Sequence, residues 1–497
     1  MNVYDYLLEV SGFLNKQVLL GNKEEMSYSE LNCDSLRLAR FIRENYGENN
    51  NIILVAPNSK FFMVAYLAII KSGNVCVPLN PSIEKNNLEF IVALCDAKIA
   101  FISPTLKEDP RWDLIEEIYT EIPEVGKGRN GFNLNLFNED IFDGDRLAEI
   151  IFTSGSTGEP KGVMITHNNI IANSDSIIRY LDLTADDVIH IVLPFYYCYG
   201  LSLLHTHLRV AGSMVFNNNF MFLGAVINDL KKYKCTGFSG VPSHFQVLLR
   251  KSKSFKSDHF PDLRYVTQAG GKLHKVFIQE FIDSQPDITF YVMYGQTEAT
   301  ARLSYLPPER LVEKLGSLGK AIPGVQLDLV DDSGARILKP GVVGELVAKG
   351  DNIMKGYLGD AIGTAAVLKK GWLQTGDLAY RDEDGFFYHT ARRKEIIKVG
   401  GRRISPKEIE EVIVSLPGVV DCSISAIFDE ILGEALKAVV VVADLNDPTM
   451  QEQSIKKLCG EKLAAEKVPQ VFEFSSRMQV AATGKKTKSL NPATQGQ

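Results

Sequence analysis

Apolar positions along this chain switch repeatedly between helical and strand periodicity. Residues 27–46, with Leu36, Leu38, Ala39, Phe41 and Ile42, predict an amphipathic helix behind a Ser29 cap. Asn51-Ile-Ile-Leu-Val-Ala56 then reads as a buried strand, Phe61 to Lys71 as a helix, Val75-Cys-Val-Pro78 as a strand, Leu88 to Leu94 as a helix and Ile99-Ala-Phe-Ile102 as a strand. Further strands are predicted at Val188 to Leu193, Ser213 to Phe216, Cys235 to Ser239, Tyr265 to Thr267 and Ile288 to Val292. Such alternation implies a large α/β body whose sheet is substantially parallel. Past about residue 325 the pattern changes to Gly-punctuated strands such as Gln326-Leu-Asp-Leu-Val330 and Gly344-Glu-Leu-Val-Ala348, a β-rich module. Ile409 to Val414, Ser423 to Ile427, Lys437 to Val442 and Ser454 to Leu463 restore the alternation and predict a small C-terminal α+β domain.

Composition agrees with a multidomain globular protein: 497 residues are too many for one core, and 45% of them are hydrophobic against 23% charged. The net charge of −7 argues against general nucleic-acid or acidic-membrane binding. No apolar run reaches the roughly 18 residues of a membrane span, and acidic residues stand near the N-terminus where a signal peptide is basic. Seven widely spaced cysteines without a C-x-x-C pair fit a reducing compartment, so a cytoplasmic location is expected.

The densest chemistry lies in Thr153-Ser-Gly-Ser-Thr-Gly-Glu-Pro-Lys-Gly162. Gly155, Gly158 and Gly162 let the backbone turn tightly and approach an anion, Thr153, Ser154, Ser156 and Thr157 offer hydroxyl and amide donors, and Lys161 adds a mobile cation. A flexible Gly/Ser turn would need neither so many hydroxyls nor the following Pro-Lys-Gly. A strand over Leu147 to Phe152 and a helix opening at His167 supply the setting expected of a phosphate loop, although the spacing departs from G-x-x-x-x-G-K-[ST].

Other segments add to it. In Tyr291-Val-Met-Tyr-Gly-Gln-Thr-Glu298, Tyr294 suits stacking on a base, Thr297 a phosphate oxygen and Glu298 a magnesium ion, though Glu298 alone equally fits a helix cap. Gln374-Thr-Gly-Asp377 places a carboxylate in a tight turn where it suits ribose hydroxyls, and Arg392-Arg-Lys-Glu395 supplies cations that by themselves read as solvated surface. His205 and His207, two apart, read as packed helix residues rather than metal ligands.

In this order the motifs resemble the adenylate-forming superfamily of acyl-CoA synthetases, adenylation domains and luciferases, over essentially the whole chain. The resemblance rests on Thr153 to Gly162, Tyr294-Gly295-Gln-Thr-Glu298, Gly344-Glu-Leu to Gly356-Tyr357, Thr375-Gly-Asp377, Arg392-Arg-Lys-Glu395 and Thr483-Gly-Lys485. It implies an N-terminal domain over 1–393 and a mobile C-terminal domain over 394–497, hinged at Lys394. It also implies two half-reactions: a carboxylate attacks the α-phosphate of ATP with Mg²⁺ to give acyl-AMP and pyrophosphate, then the thiol of CoA or of a carrier protein's phosphopantetheine displaces AMP. By the same resemblance the loop holds the β- and γ-phosphates, Gly270-Gly271-Lys272 and Tyr294 enclose adenine, Asp377 and Arg392 bind ribose, Thr297 touches the α-phosphate, Glu298 holds magnesium, and Lys485 bridges carboxylate and α-phosphate. Acyl-carrier-protein partnership and fatty acid metabolism belong to the same set of implications. A non-catalytic nucleotide- and acyl-binding protein is the competing reading, and the presence of both Glu298 and Lys485 argues against it.

The chain also departs from the family pattern. Tyr197, within Leu193-Pro-Phe-Tyr-Tyr-Cys-Tyr-Gly-Leu201, stands where a histidine usually borders the acyl carboxylate, and a tyrosine does not become cationic. Tyr196, Tyr197, Gly200, Ser239 and Val241 are expected to line the acyl pocket. No acidic residue occurs between Pro194 and Val215 to pair with a substrate ammonium, which disfavours an amino acid and favours a neutral aliphatic or aryl body. Arg402 and Arg403 suit CoA phosphates or an acidic carrier protein as well as plain surface.

Overall fold

The computed structural model describes residues 1–21, 24–123, 142–154, 159–399, 402–429, 433–443 and 448–477. Among these residues the strands form four sheets, of nine, seven, five and five strands. Two of them build the body, and both follow the predicted alternation. In the nine-stranded sheet the strands Gln17–Leu20, Ser213–Phe216, Val188–Ile191, Gly237–Gly240, Tyr265–Gln268 and Thr289–Tyr294 run parallel in that spatial order, with antiparallel strands added at both edges. In the seven-stranded sheet a parallel set that includes Asn51–Val55, Val75–Pro78 and Ile99–Ile102 ends on the antiparallel pair Leu147–Ser154 and Pro160–Thr166.

One core joins the two sheets. The helix Lys60–Lys71 is buried along the whole of Phe62 to Ile70, and its apolar circumference leaves it no other place than between layers. Around it pack Ile189, Ile191 and Met214 from one sheet and Ile52, Leu54 and Ile151 from the other. The helix Tyr28–Tyr46 covers the same core, but its cap is Ser27 rather than Ser29. Ser27 Oγ accepts from the Glu30 backbone N–H while the Glu30 carboxylate accepts from the Ser27 N–H, and this reciprocal pair fixes the start two residues earlier than Ser29 would.

The β-rich module is an antiparallel sheet of Val325–Val330, Gly344–Gly350, Trp372–Arg381, Leu368–Lys369 and Phe387–Arg392. The C-terminal segment forms the fourth sheet with the helices Pro406–Ile413 and Pro448–Lys462. Its apolar side chains, among them Ile409, Ile413, Leu436 and Val440, belong to one cluster with Phe245, Phe277 and Phe281 of the body. Polar contacts cross the same boundary: Gln246 donates to Asp421 at 3.0 Å, and Lys272 pairs with Glu411 at 2.7 Å. None of the seven cysteines is in a disulfide. No helix of the described residues is long and apolar enough to cross a membrane.

Candidate active site

The glycine- and hydroxyl-rich segment sits at a hairpin, not at the start of a helix. Thr153 pairs with Lys161 and Ser154 with Pro160 across antiparallel strands, and Gly155, Ser156, Thr157 and Gly158 lie outside the described residues. The predicted helix does open at His167, capped by Thr166 and Asn169, but the strand Pro160–Thr166 intervenes. Alternate burial of Val163 and Ile165 against half-exposed Met164 gives that stretch a strand's period, which removes the helix dipole from the loop.

Lys161 leaves the hairpin toward a distant segment. Its ammonium pairs with Asp360 at 3.0 Å and lies 4.6 Å from the centre of the Tyr357 ring. The Tyr357 hydroxyl in turn donates to Glu298 Oε1 at 2.8 Å. Gly356-Tyr357 is a short strand pairing with Met164 and Val163, so the hairpin itself sets the tyrosine between Lys161 and Glu298. Glu298 therefore does not cap a helix. It sits in the 3-10 turn Thr297–Ala299 with its carboxylate turned to Tyr357, and Thr297 Oγ1 lies 3.5 Å from Cys198 Sγ.

The second half of the site lies on the carboxyl edge of the parallel sheet, where ligands of α/β proteins commonly bind. Gly240, Gln268 and Val292 are register partners, so the segments after them run side by side. Gln268 donates to the Gly271 carbonyl at 2.8 Å, and Gly270 takes a positive φ of 83° to form that turn. Lys272 leaves the turn for Glu411. Gly295 is required by packing: a Cβ there would stand 2.0 Å from the Ala301 carbonyl oxygen.

Asp377, buried at 2% exposure, is the meeting point of three donors. Tyr294 donates to Oδ2 at 2.7 Å, while Arg392 Nε at 3.0 Å and His389 Nε2 at 3.3 Å approach Oδ1. Burial opposes ionisation of this carboxyl, yet the His389 hydrogen bond and the Arg392 charge outweigh it and hold the pKa below the ordinary value. The same burial, with Asp377 beside it, raises the Tyr294 phenol well above its usual range. Asp377 lies in the strand Trp372–Arg381 rather than in a tight turn, directly across from Arg392. A register shift after Leu378 brings His389 to the same carboxylate.

The expected acyl residues gather around the amino end of the helix Cys198–Arg209. Tyr197 precedes that helix as its N-cap residue, with its ring edge-on to Tyr199 at 6.3 Å, and burial raises its phenol well above the usual range. Tyr196 is half-buried and its phenol is pushed up to about 12. The Tyr199 hydroxyl lies 2.7 Å from Thr267 Oγ1, which lies 2.7 Å from Ser239 Oγ, a buried hydroxyl chain. Gly200 faces the Pro194 carbonyl, 2.2 Å from where a Cβ would stand, and Val241 is fully buried ahead of the helix Pro242–Lys251.

Lys485 lies outside the described residues, and Lys394 falls in the 3-10 turn Arg393–Glu395 between body and C-terminal segment. Arg402 pairs with Glu466. His205 and His207 are buried: His205 contacts the Tyr66 hydroxyl at 2.6 Å and His207 the Leu203 carbonyl at 2.9 Å, as packed helix residues do. The sequence reading missed Asp360, His389 and Arg302, and named Tyr357 without a role. Gly356-Tyr357 was the available signal, since an isolated Gly-Tyr between a strand and a helix start marks a close approach.

Comparison with known proteins bears on the whole chain. The family model for AMP-binding enzyme matches residues 9–358, and that for the AMP-binding enzyme C-terminal domain matches 408–485. The 2-succinylbenzoate–CoA ligase of Bacillus pumilus is 32% identical over 87% of this chain and 85% of its own length. The 4-coumarate–CoA ligase-like 6 of Arabidopsis thaliana is 30% identical over 88% and 80% respectively. Among solved structures, ATP-bound MatB from Rhodopseudomonas palustris superposes with a TM-score of 0.84 at 26% identity, covering 98% of this chain and 97% of that one.

Proposed function

This chain belongs to the AMP-binding enzyme family and joins a carboxylic acid to a thiol, driven by ATP, through an acyl-adenylate; on that premise we propose a role for each residue of the site. The observation that carries the assignment is Tyr357, which ties the lysine of the glycine-rich hairpin to the carboxylate of Glu298. Residues remote in sequence thereby present a cation, hydroxyls and a hard oxygen ligand to one region, as a nucleoside triphosphate requires.

Thr153, Ser154, Gly155, Ser156, Thr157 and Gly158, with Lys161, hold the β- and γ-phosphates. The Gly270-Gly271-Lys272 turn and Tyr294 flank the adenine, and Asp377 with Arg392 positions the ribose. Oδ2 of Asp377 retains a lone pair beyond its bond from Tyr294, enough for a ribose hydroxyl. Thr297 attends the α-phosphate, and Lys485 approaches the acid carboxylate and α-phosphate oxygens as negative charge gathers there. Magnesium is held by one or two carboxylates together with substrate phosphate oxygens. Glu298 fits that task, since Tyr357 engages only its Oε1. The ion would shield the triphosphate charge from the incoming carboxylate. Residues 394–497 form the unit that re-orients about Lys394 between the half-reactions. The acceptor thiol is that of CoA, with a carrier protein's phosphopantetheine as the alternative, in the cytoplasm.

Pyrophosphate release on mixing protein, ATP and Mg²⁺ with a panel of aliphatic and aryl acids tests this reading, with CoA and holo-carrier protein compared as acceptors. Lys485→Ala is expected to slow adenylation by about two to three decades while thioester still forms from supplied acyl-AMP. Silence of the unaltered protein across the panel would identify a nucleotide- and acyl-binding protein without turnover.

A further inference from the structure

A buried cation, Arg302, stands beside Tyr199 at the proposed acyl wall. Arg302 is 2% exposed, yet no Asp or Glu of the described residues reaches it to form an ion pair. Its Nε has no hydrogen-bond partner among the described residues, and its Nη1 reaches only the preceding Ala301 carbonyl, at 3.3 Å. The guanidinium lies 3.9 Å from the centre of the Tyr199 ring, and its charge also acts on the Tyr180 phenol, whose hydroxyl is engaged with Met293 Sδ at 2.9 Å. A cation–π contact offsets only part of the desolvation that burying an ion costs. An arginine so placed has lost its water without gaining a counter-ion.

The backbone places this side chain with care. Thr300 has φ 63° and ψ −62°, and Ala301 N donates to the Ala299 carbonyl at 2.6 Å: a γ-turn of the rare positive-φ form, strained for a β-branched residue. Asn352 and Asn173 hold the turn from two sides, donating to the Arg302 carbonyl at 2.8 and 3.0 Å, while Thr300 Oγ1 donates to the Asn352 carbonyl at 2.7 Å. Strain of this kind persists where the surroundings enforce it, and it concentrates at ligand sites. The location matches. Thr297, assigned to the α-phosphate, abuts Cys198, and Arg302 lies on the face of the next residue of the same helix, Tyr199.

Resting on the ligase reading above, we propose that Arg302 selects the acid: the substrate carries a second carboxylate, which pairs with this guanidinium while the first is adenylated beside Thr297. The body of the acid remains aliphatic or aryl, but its far end is anionic. A site built around an unpaired buried cation discriminates strongly against a neutral analogue, because that analogue leaves the charge uncompensated.

Initial rates of pyrophosphate release should be compared for α,ω-diacids of increasing length and aryl diacids, each against its own monomethyl ester, which changes charge and little else. Unaltered enzyme is expected to prefer the best diacid over its ester by at least about 100-fold in kcat/KM. Arg302→Met should collapse that ratio toward unity or invert it, and Arg302→Lys should keep part of it. Esters used as well as their diacids at every length, with ratios unmoved by Arg302→Met, would overturn the assignment while leaving the ligase reading intact. If Arg302→Met does not fold, as judged by its melting curve, the diacid-to-ester ratio of the unaltered enzyme decides alone. No release with any acid would defeat the ligase reading and the proposal with it.

Discussion

Asp377 shows how one side chain organises the proposed nucleotide site. Its carboxylate is buried, held ionised by His389 and Arg392, and shared with the Tyr294 hydroxyl, so it fixes the orientation of residues from two sheets. Asp377→Asn keeps the shape and removes the charge. Hydrogen bonds to a charged group contribute about 1.5–3 kcal/mol, so KM for ATP is expected to rise about ten- to hundredfold with a smaller change in kcat. Steady-state kinetics check this, and an unchanged KM would separate Asp377 from nucleotide binding. The sequence pointed to Tyr294, Glu298, Asp377 and Arg392 because their chemistry is written in local motifs. His389 and Arg302 were not legible in the same way. The first reaches Asp377 only through a register shift, and the second is an ordinary surface residue type until its burial is seen.

At the scale of elements, the hairpin and the boundary with the C-terminal segment matter most. Periodicity correctly set a strand before the glycine-rich loop and a helix at His167, but it did not reveal the strand between them, because seven residues with two apolar inward positions carry a weak signal. The boundary is clearer in the structure than in the sequence. Lys272, on the turn proposed to flank adenine, is committed to Glu411 of the helix Pro406–Ile413, an ion pair that ties this turn to the C-terminal segment. Lys272→Glu sets two carboxylates against each other there. Faster amide exchange is expected in the helix Pro406–Ile413, with the strand Trp372–Arg381 unchanged. Equal protection of that helix in both proteins would show that the ion pair does not hold the segment.

The whole molecule joins two largely parallel sheets through one apolar core, and that core carries ionisable groups with definite consequences. His167, His205 and His244 are buried and pushed down to about 3, and His207 to about 4, chiefly by loss of hydration. Between those values and the unfolded value near 6.5, the unfolded chain binds protons that the native protein cannot. Stability should therefore fall as pH drops below about 6.5, by up to about 1.4 kcal/mol per histidine per pH unit. Glu149 acts in the opposite direction. Burial raises its carboxyl to about 7 against the lowering effect of the Tyr66 hydrogen bond, so its contribution becomes more favourable as pH falls from about 7 toward its unfolded value. With four histidines against one carboxyl, melting temperature should decline from pH 7.5 to 5.5. A level or rising profile would mean that these imidazoles are hydrated in the native protein. The division into an α/β body, a β-rich module and a C-terminal α+β unit was readable from periodicity, whereas their contact was not, because interfaces between units leave no period in the sequence.

In the adenylating step the acid attacks the α-phosphorus of ATP, so the bridging oxygen of the acyl-adenylate comes from the carboxylate. Oxygen-18 in the carboxylate of the substrate, followed by mass spectrometry of the nucleotide after one round of thioester formation, reads this out. Pyrophosphate together with AMP carrying one labelled oxygen is expected; unlabelled AMP, or ADP with labelled phosphate, would rule the adenylate route out.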